Sequence, residues 1–214
     1  IYLYIMTIIL KPHQSRVLKY MKKSGQRGII LYHGLGSGKT ITSIALAQSF
    51  GNNVIVVVPA SMRSQWDIEL TNMNVDKKKY NVMSYEGFLK DANKIPAIKN
   101  KTIIVDEAHR IRTSTGKIAS VVVKVLQEAN KVILLTGTPM VNSPVDMSQL
   151  VNAVKGTNVL PVDDKKFNDK FYMTSSMKNV SSNNLCKQSS IACSQSGSKY
   201  KMNLCKYHYV MWAI

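Results

Sequence analysis

Short apolar runs alternate with amphipathic stretches from Lys11 to about Val154, and this alternation is typical of an α/β domain. The apolar runs are continuous, as in Val54–Val58, so the strands are predicted to be buried on both faces. The predicted strands are Ile29–Tyr32, Val54–Val58, Asn81–Ser84, Thr102–Val105 and Val132–Leu135.

The stretches between these runs have the spacing of helices. The first helix has Pro12 in its first turn and ends before Gly25. The predicted helices are Pro12–Lys23, Lys39–Phe50, Ser61–Met73, Tyr85–Asp91 and Lys117–Ala129. Alternation of helices with doubly buried strands predicts a three-layer α/β fold, in which a mostly parallel sheet lies between helices. Ligands of such sheets bind at the carboxyl ends of the strands.

A glycine-rich segment, His33–Thr40, joins the first predicted strand to the second predicted helix. Strand, glycine-rich turn and helix in this order make a phosphate-binding loop, because glycines let several backbone N–H groups converge on one anion. We expect Lys39 to reach the β- and γ-phosphates of ATP and the Thr40 hydroxyl to bind Mg²⁺. The other predicted nucleotide-binding residues of this loop are Gly34, Gly36, Ser37 and Gly38.

The loop departs from the G-x-x-x-x-G-K-[ST] pattern at one position, because His33 stands where that pattern has its first glycine. Gly34 and Gly36 are expected to supply the bend instead. The alternative is a glycine-rich turn without a ligand, and the order of strand, loop and helix disfavours it.

A second set of chemical residues, Asp106–His109, follows the predicted strand Thr102–Val105. An acidic pair after a hydrophobic strand, downstream of a phosphate loop, fits the acidic motif of nucleoside triphosphatases. Asp106 would hold Mg²⁺ through its water shell, and Glu107 would accept a proton from the attacking water. With Lys39 these two are the predicted catalytic residues. An acidic pair that only caps the next turn is the alternative.

A third short motif, Thr136-Gly137-Thr138, stands at the end of the predicted strand Val132–Leu135. The Thr136 and Thr138 hydroxyls are expected to bond the acidic pair and the surroundings of the γ-phosphate. The segment is also a turn in its own right, so its functional meaning depends on the other two motifs.

The chain is strongly basic, with 29 Lys and Arg against 12 Asp and Glu and a net charge of +17. This balance favours a polyanionic partner, and nucleic acid is the leading candidate. A basic surface that binds no particular partner is the alternative, because charge alone names none.

The opening run Ile1–Leu10 is too short to span a bilayer and has no basic flank before it. Neither a membrane helix nor a signal peptide is therefore predicted. Because the first residue is Ile rather than Met, we expect the chain to be a piece of a longer protein or an incomplete reading frame.

The chain changes character after about Leu160. Residues 161–174 keep scattered apolar anchors, whereas residues 175–214 are rich in Ser, Asn and Lys, and we predict them to be weakly ordered or foreign to the domain. Three cysteines without a pairing pattern lie there and indicate a reducing, intracellular compartment. One short-spaced pair, Cys205 with His208, falls short of the two pairs usual in structural zinc sites. The other cysteines are Cys186 and Cys193.

In this order, Gly36–Thr40, Asp106–His109 and Thr136–Thr138 resemble motifs I, II and III of superfamily 2 helicases and translocases. Residues 33–40 and 138–144 are most similar to helicase-type ATPases of large DNA viruses, including the poxvirus nucleoside triphosphatase and early transcription factor relatives. The resemblance covers residues 10–172 and implies that residues 1–160 form an ATP-binding, RecA-like P-loop domain of the Swi/Snf-like branch. It implies ATP and Mg²⁺ as cofactors and nucleic acid, DNA rather than RNA, as partner.

The resemblance also assigns residues outside these three motifs. In the family a glutamine of the entry motif reads the adenine, and Gln14 matches it. His109, with Thr136–Thr138, is expected to couple the nucleotide site to the nucleic-acid site. Family motifs Ia and Ib imply loops that contact nucleic acid, mostly through phosphates. The expected contact residues in these loops are Pro59, Ser61, Arg63, Ser84 and Tyr85.

Simpler roles stay open for several of these side chains. Arg63, Arg110 and Arg112 would also suit a solvated face. Trp66 is expected to pack on its amphipathic helix rather than to stack on a base. His109 would also suit a local helix cap.

Family members carry a second RecA-like lobe with an arginine finger, and no Q-x-x-G-R-x-x-R run follows residue 140. We therefore expect the ATP-binding half of a DNA-dependent ATPase, helicase or translocase, which by itself binds Mg·ATP weakly and hydrolyses it poorly. The missing lobe and transcription or replication machinery are the further expected partners, in a nucleus, viral factory or virion. The alternatives are a non-motor nucleotide-binding module and an inert fragment.

Overall fold

A computed structural model describes residues 9–34, 36–91, 98–112, 117–138, 145–173, 201–202 and 211–213. The central strands are β1 Gly28–Tyr32, β2 Asn53–Val58, β3 Tyr80–Ser84, β4 Lys101–Val105 and β5 Lys131–Thr136. They pair in the order β3-β2-β4-β5-β1, and every neighbouring pair is parallel. The predicted three-layer α/β fold with a parallel sheet is confirmed.

The helices are α1 Pro12–Ser24, α2 Lys39–Phe50, α3 Arg63–Asn72, α4 Tyr85–Asp91, α5 Lys117–Glu128, α6 Asp146–Lys155 and α7 Asp164–Phe171. The first five coincide with the predicted helices, except that the turn before α3 is a 3-10 helix, Ala60–Met62. As predicted, α1 ends at Gly25, which adopts a left-handed φ of 63°. Among the described residues, no helix is long and apolar enough to cross a membrane.

Two helices, α6 and α7, were not predicted from the sequence. The signal for α6 is the spacing of Met147, Leu150, Val151 and Val154, all of which it buries. This i, i+3, i+4, i+7 pattern is that of one helix face. The run lies directly after the third motif, where turn residues dominate the local sequence.

The sheet separates two hydrophobic cores, because successive side chains of a strand point to opposite faces. In β1, Ile29 and Leu31 lie in the core that packs against α1, α2 and α3. Ile30 lies in the other core, against α4, α5, α6 and α7. Burial on both faces explains why the sequences of β1, β2, β4 and β5 are largely apolar. The predicted double burial does not hold for β3, which lies at the end of the strand order, is half-buried and exposes Asn81.

Three further short strands involve the C-terminal part of the chain. Strand β6, Tyr172–Met173, is antiparallel to β7, Lys201–Met202, while β8, Met211–Ala213, runs parallel to β1 at the edge of the sheet. The three cysteines and His208 lie outside the described residues. The division of the chain at residues 160 and 174 stays a prediction.

Candidate functional site

The three motif loops leave three neighbouring strands at the same edge of the sheet. The phosphate loop follows β1, the acidic turn follows β4, and the third motif follows β5, which lies between them. In register, Tyr32 pairs with Thr136, and Val105 pairs with Leu134. The carboxyl ends of parallel strands are where ligands of such sheets bind, so one ligand can reach all three loops.

The phosphate loop curls because two of its glycines take left-handed backbone conformations. Gly36 has a φ of 72° and Gly38 a φ of 79°, and α2 begins immediately afterwards at Lys39. A Cβ atom built at Gly34 or Gly36 would meet nothing within 4 Å, so the space over these residues is open. Open space at a helix N-terminus suits a phosphate, because the first N–H groups of a helix have no partner within the helix.

The Lys39 side chain folds back over this loop. Its Nζ donates to the carbonyl oxygens of His33, at 2.9 Å, and Gly34, at 3.2 Å. The ammonium group therefore lies at the mouth of the loop, where a phosphate oxygen would replace the carbonyls as its acceptor. Thr40 is in the first turn of α2, and Ser37 Oγ donates to Gly34 O at 2.8 Å.

His33 is fully buried beneath this loop, and its two ring nitrogens have no hydrogen-bond partner among the described residues. Burial, together with the nearby charges of His13 and Lys39, lowers its pKa from 6.5 to about 4. The His13 ring meets the His33 ring edge to face at 5.9 Å. The side chain at the position of the missing glycine is thus a neutral packing group.

Gln14 connects α1 to the phosphate loop. Its Oε1 accepts the Lys11 N–H at 2.8 Å, and its Nε2 donates to Gly38 O at 3.3 Å. The side chain is 3% exposed. The structure places the predicted adenine reader under the loop with both ends of its amide bonded, and adenine recognition stays a prediction.

The acidic turn is held in a conformation that L-residues rarely adopt. Glu107 has a φ of 50°, which costs about 1–3 kcal/mol and persists only where the surroundings enforce it. Asp106 N donates to Val57 O at 2.9 Å, and Glu107 N donates to Asp106 Oδ1 at 2.9 Å. His109 Nδ1 lies 3.1 Å from Glu107 Oε2, so these two side chains of the turn meet.

Two aromatic residues that the motif search did not assign to this site hold Asp106 and Glu107. Trp66 is 1% exposed, and its Nε1 donates to Asp106 Oδ2 at 2.9 Å. The Tyr85 hydroxyl donates to Asp106 O at 2.6 Å and to Glu107 O at 3.2 Å. Burial raises the pKa of Tyr85 far above its usual value, so this hydroxyl remains a donor. One signal could have suggested the role of Trp66 from the sequence: the N–H of a buried indole needs a hydrogen-bond acceptor.

The third motif forms a tight turn. Thr136 is fully buried, and its Oγ1 accepts the Thr138 N–H at 3.1 Å. Gly137 lies against the phosphate loop, since a Cβ at this position would stand 3.9 Å from His33 O. The predicted bonds from Thr136 and Thr138 to the acidic pair stay predictions.

The predicted nucleic-acid loops leave β2 and β3 at the same sheet edge, with Val58 and Ser84 in register. Ser61 and Arg63 are exposed and Pro59 is half-buried, while Ser84 Oγ accepts the Gly87 N–H at 3.0 Å. Tyr85 is 2% exposed, so the contact predicted for this loop rests on Ser84 and the backbone. The sheet edge therefore carries the nucleotide motifs on one half and these loops on the other.

The oxygen atoms at this edge suit Mg²⁺, a cation that binds through oxygen and keeps much of its water shell. Each Asp106 carboxylate oxygen accepts one N–H donor, from Trp66 or Glu107, and keeps lone pairs for a metal-bound water. The residue is 6% exposed and so remains in contact with solvent. Thr40 and Asp106 are the residues that would hold the ion.

A family model described as the SNF2-related domain matches residues 70–189, more than half of the 214 residues. The chain belongs to the SNF2-related family. A second model, the res subunit of type III restriction enzymes, matches residues 7–99, which include the phosphate loop. The membership confirms the resemblance inferred from the three motifs.

Viral proteins are among the similar relatives. A protein of Acanthamoeba polyphaga mimivirus, whose name describes an ATP-dependent RNA helicase, is 35% identical across 78% of this SNF2-related chain. The early transcription factor 70 kDa subunit of Myxoma virus is 26% identical across 69% of it. The chain spans 37% and 26% of the length of these two relatives.

A solved structure shares the fold. The SWI2/SNF2 ATPase core of Sulfolobus solfataricus, in complex with double-stranded DNA, superposes with a TM-score of 0.64 at 24% sequence identity. The match covers 78% of the SNF2-related chain and 40% of the archaeal chain. The chain therefore corresponds to part of an ATPase core rather than to all of it.

Proposed function

We propose that this SNF2-related chain is the ATP-binding lobe of a nucleic-acid-dependent ATPase that moves on or remodels DNA. The observation that carries the proposal is the placement of the phosphate loop, third motif and acidic turn on the neighbouring strands β1, β5 and β4. A glycine-rich turn or an acidic cap that formed by chance would not bring these three loops to one edge.

The residues at this edge divide the work of ATP hydrolysis. The N–H groups of Gly36–Lys39 bind the phosphates, and the Lys39 ammonium neutralises the charge on the β- and γ-phosphates. Thr40 and Asp106 would hold Mg²⁺, which when bound would neutralise charge on the phosphate oxygens. Glu107 accepts the proton of the attacking water, and His109 beside it relays changes to the nucleic-acid loops.

Double-stranded DNA is the proposed nucleic acid. The archaeal core with this fold binds double-stranded DNA, whereas the mimivirus relative is named for RNA, so the choice rests on the fold and on the Swi/Snf-like motifs. The exposed Ser61 and Arg63 would contact phosphates. The protein would then act in a nucleus, a viral factory or a virion, as part of transcription or replication machinery.

Efficient turnover is proposed to need a second lobe. Members of this superfamily close a second RecA-like lobe over the nucleotide and insert an arginine, and the loss of such an arginine finger lowers turnover by about 10³–10⁵-fold. The chain spans 37% or less of the relatives compared above. Alone, it should bind Mg·ATP and hydrolyse it slowly.

Lys39→Ala tests the phosphate site. Affinity for a fluorescent ATP analogue, measured by titration with Mg²⁺ present, should fall at least tenfold, because the ammonium over the loop is lost. Lys23→Ala is the matched control, since Lys23 is an exposed lysine at the end of α1 that leads into β1. Affinity that survives Lys39→Ala, or falls equally in Lys23→Ala, would refute the phosphate-loop assignment.

A further inference from the structure

Asp106 is bonded from both layers of helices. Trp66 belongs to the core on the α1–α3 face of the sheet, and Tyr85 belongs to the core on the α4–α7 face. Trp66 bonds the Asp106 carboxylate and Tyr85 bonds its main-chain carbonyl, so side chain and backbone are held by different elements.

The two partners of Asp106 are tied to the predicted nucleic-acid loops. Trp66 lies in the first turn of α3, three residues after Arg63. Tyr85 follows Ser84 directly and begins α4, and the Arg110 guanidinium stands 5.4 Å from the centre of its ring. A displacement of either loop would reach the acidic turn through these side chains, because both are buried and both are hydrogen-bonded to it.

The Trp66 bond also decides how the carboxylate is oriented. Glu107 N–H fixes Oδ1 from within the turn, whereas the indole N–H is the donor to Oδ2 in the part of the chain that the structure describes. A carboxylate with one oxygen held can rotate about its Cβ–Cγ bond, and a ligand that rotates binds a metal-bound water less well. The indole thus determines the direction of the Asp106 lone pairs.

We propose that Trp66 is a positioning residue for Asp106. Through its bond to the carboxylate, Trp66 sets how strongly Mg²⁺ raises the affinity for nucleotide. It also connects this Mg²⁺ dependence to the loop at Pro59–Arg63. The inference rests on the proposed function, because it needs Mg·ATP to bind at this edge. Trp66 does not touch the nucleotide; it acts through the Asp106 carboxylate.

Trp66→Phe removes the indole donor and keeps an aromatic ring in the core. Affinity for a fluorescent ATP analogue is measured in EDTA and again with Mg²⁺. The affinity in EDTA should stay unchanged. The factor by which Mg²⁺ raises the affinity, called the gain below, should become roughly tenfold smaller, because one hydrogen bond to a charged group is lost. Trp212→Phe, at the only other tryptophan of the chain, is the control and should keep the full gain. A full gain in Trp66→Phe would overturn the inference.

A second measurement needs no variant at Trp66. In the chain labelled with ¹⁵N-tryptophan, the Trp66 indole N–H resonance, identified through Trp212→Phe, should shift when Mg²⁺ is added to the ATP-bound chain. It should shift again when a short DNA duplex is added. A resonance that ignores both additions while nucleotide binds would overturn the inference alone. If the unchanged chain binds no nucleotide, the proposed function fails and the inference fails with it.

Discussion

Among single residues, His33 occupies the least expected environment. It stands at the position of a glycine in the phosphate-loop pattern, yet its imidazole is fully buried and its ring nitrogens are unpartnered among the described residues. Burial of a charged imidazole is costly, so the folded chain binds a proton at His33 less readily than the unfolded chain does. Its pKa of about 4 against 6.5 for a free histidine expresses this difference.

We expect His33 to contribute to the pH dependence of the free energy of unfolding. Above pH 6.5 both states hold a neutral imidazole. Between pH 6.5 and 4, His33 is protonated in the unfolded chain but not in the folded chain. The free energy of unfolding therefore falls as the pH falls, by up to about 1.4 kcal/mol per pH unit. Urea unfolding at a series of pH values measures this loss.

The carboxylates of the chain also titrate in this range, so the comparison is with His33→Asn, which cannot be protonated. The variant should lose less stability than the unchanged chain between pH 6.5 and 4, and the two should respond alike above pH 7. Parallel curves throughout would show that His33 is solvated or protonated in the folded chain.

At the level of helices and strands, Arg27 joins elements that are distant in sequence. Its Nη1 donates to Ala153 O at 2.8 Å and Val154 O at 2.9 Å, near the end of α6. Its Nη2 donates to Ala129 O at 2.7 Å and also to Leu126 O, at the end of α5. The last carbonyls of a helix lack partners within the helix, and a cation there also suits the helix dipole.

Arg27→Met should therefore destabilise the domain, because the variant keeps an apolar stem and loses the donors for both helix ends. Unsatisfied, half-buried carbonyls make a loss of about 2–4 kcal/mol the expected result in urea unfolding. Arg16→Met, at an exposed arginine of α1, should change stability by less than about 0.5 kcal/mol. Equal stability of the two variants would mean that water replaces the guanidinium at these ends.

For the molecule as a whole, the net charge of +17 predicts binding to a polyanion but not its place. We propose one edge of the parallel sheet as the place, because the loops after β2 and β3 share that edge with the nucleotide motifs. Contacts from these loops to DNA phosphates would release counterions, so the affinity should fall steeply with salt.

Arg63→Gln measures whether this edge binds DNA. The slope of log affinity against log salt, from fluorescence anisotropy with a labelled duplex, should become shallower by about one, the value of one lost phosphate contact. Lys23→Gln removes the same charge at the far end of α1 and should leave the slope unchanged. A slope that responds to both variants alike would indicate binding by net charge rather than by this loop.

Much of the architecture could be predicted because its signals are local. Apolar runs marked four of the five central strands, β3 having fewer apolar residues, and proline and glycine marked where α1 begins and ends. The three motifs were recognisable from residue type and order, and family membership confirms the resemblance that they indicated, while the roles of their residues stay predictions. Helix α6 escaped prediction although its spacing is regular, because its apolar face follows a turn-rich segment.

Periodicity and motif chemistry thus determined the layers of this SNF2-related chain and the loops proposed to carry its nucleotide chemistry. Which side chains meet was decided by the strand order, which places β4 beside β2 and so brings Trp66 to Asp106, 40 residues away. Arg27 reaches Ala153 across 126 residues for the same reason. Such contacts cannot be predicted from the local spacing of residues, because they depend on the order of the strands in the sheet and on the face to which each side chain points.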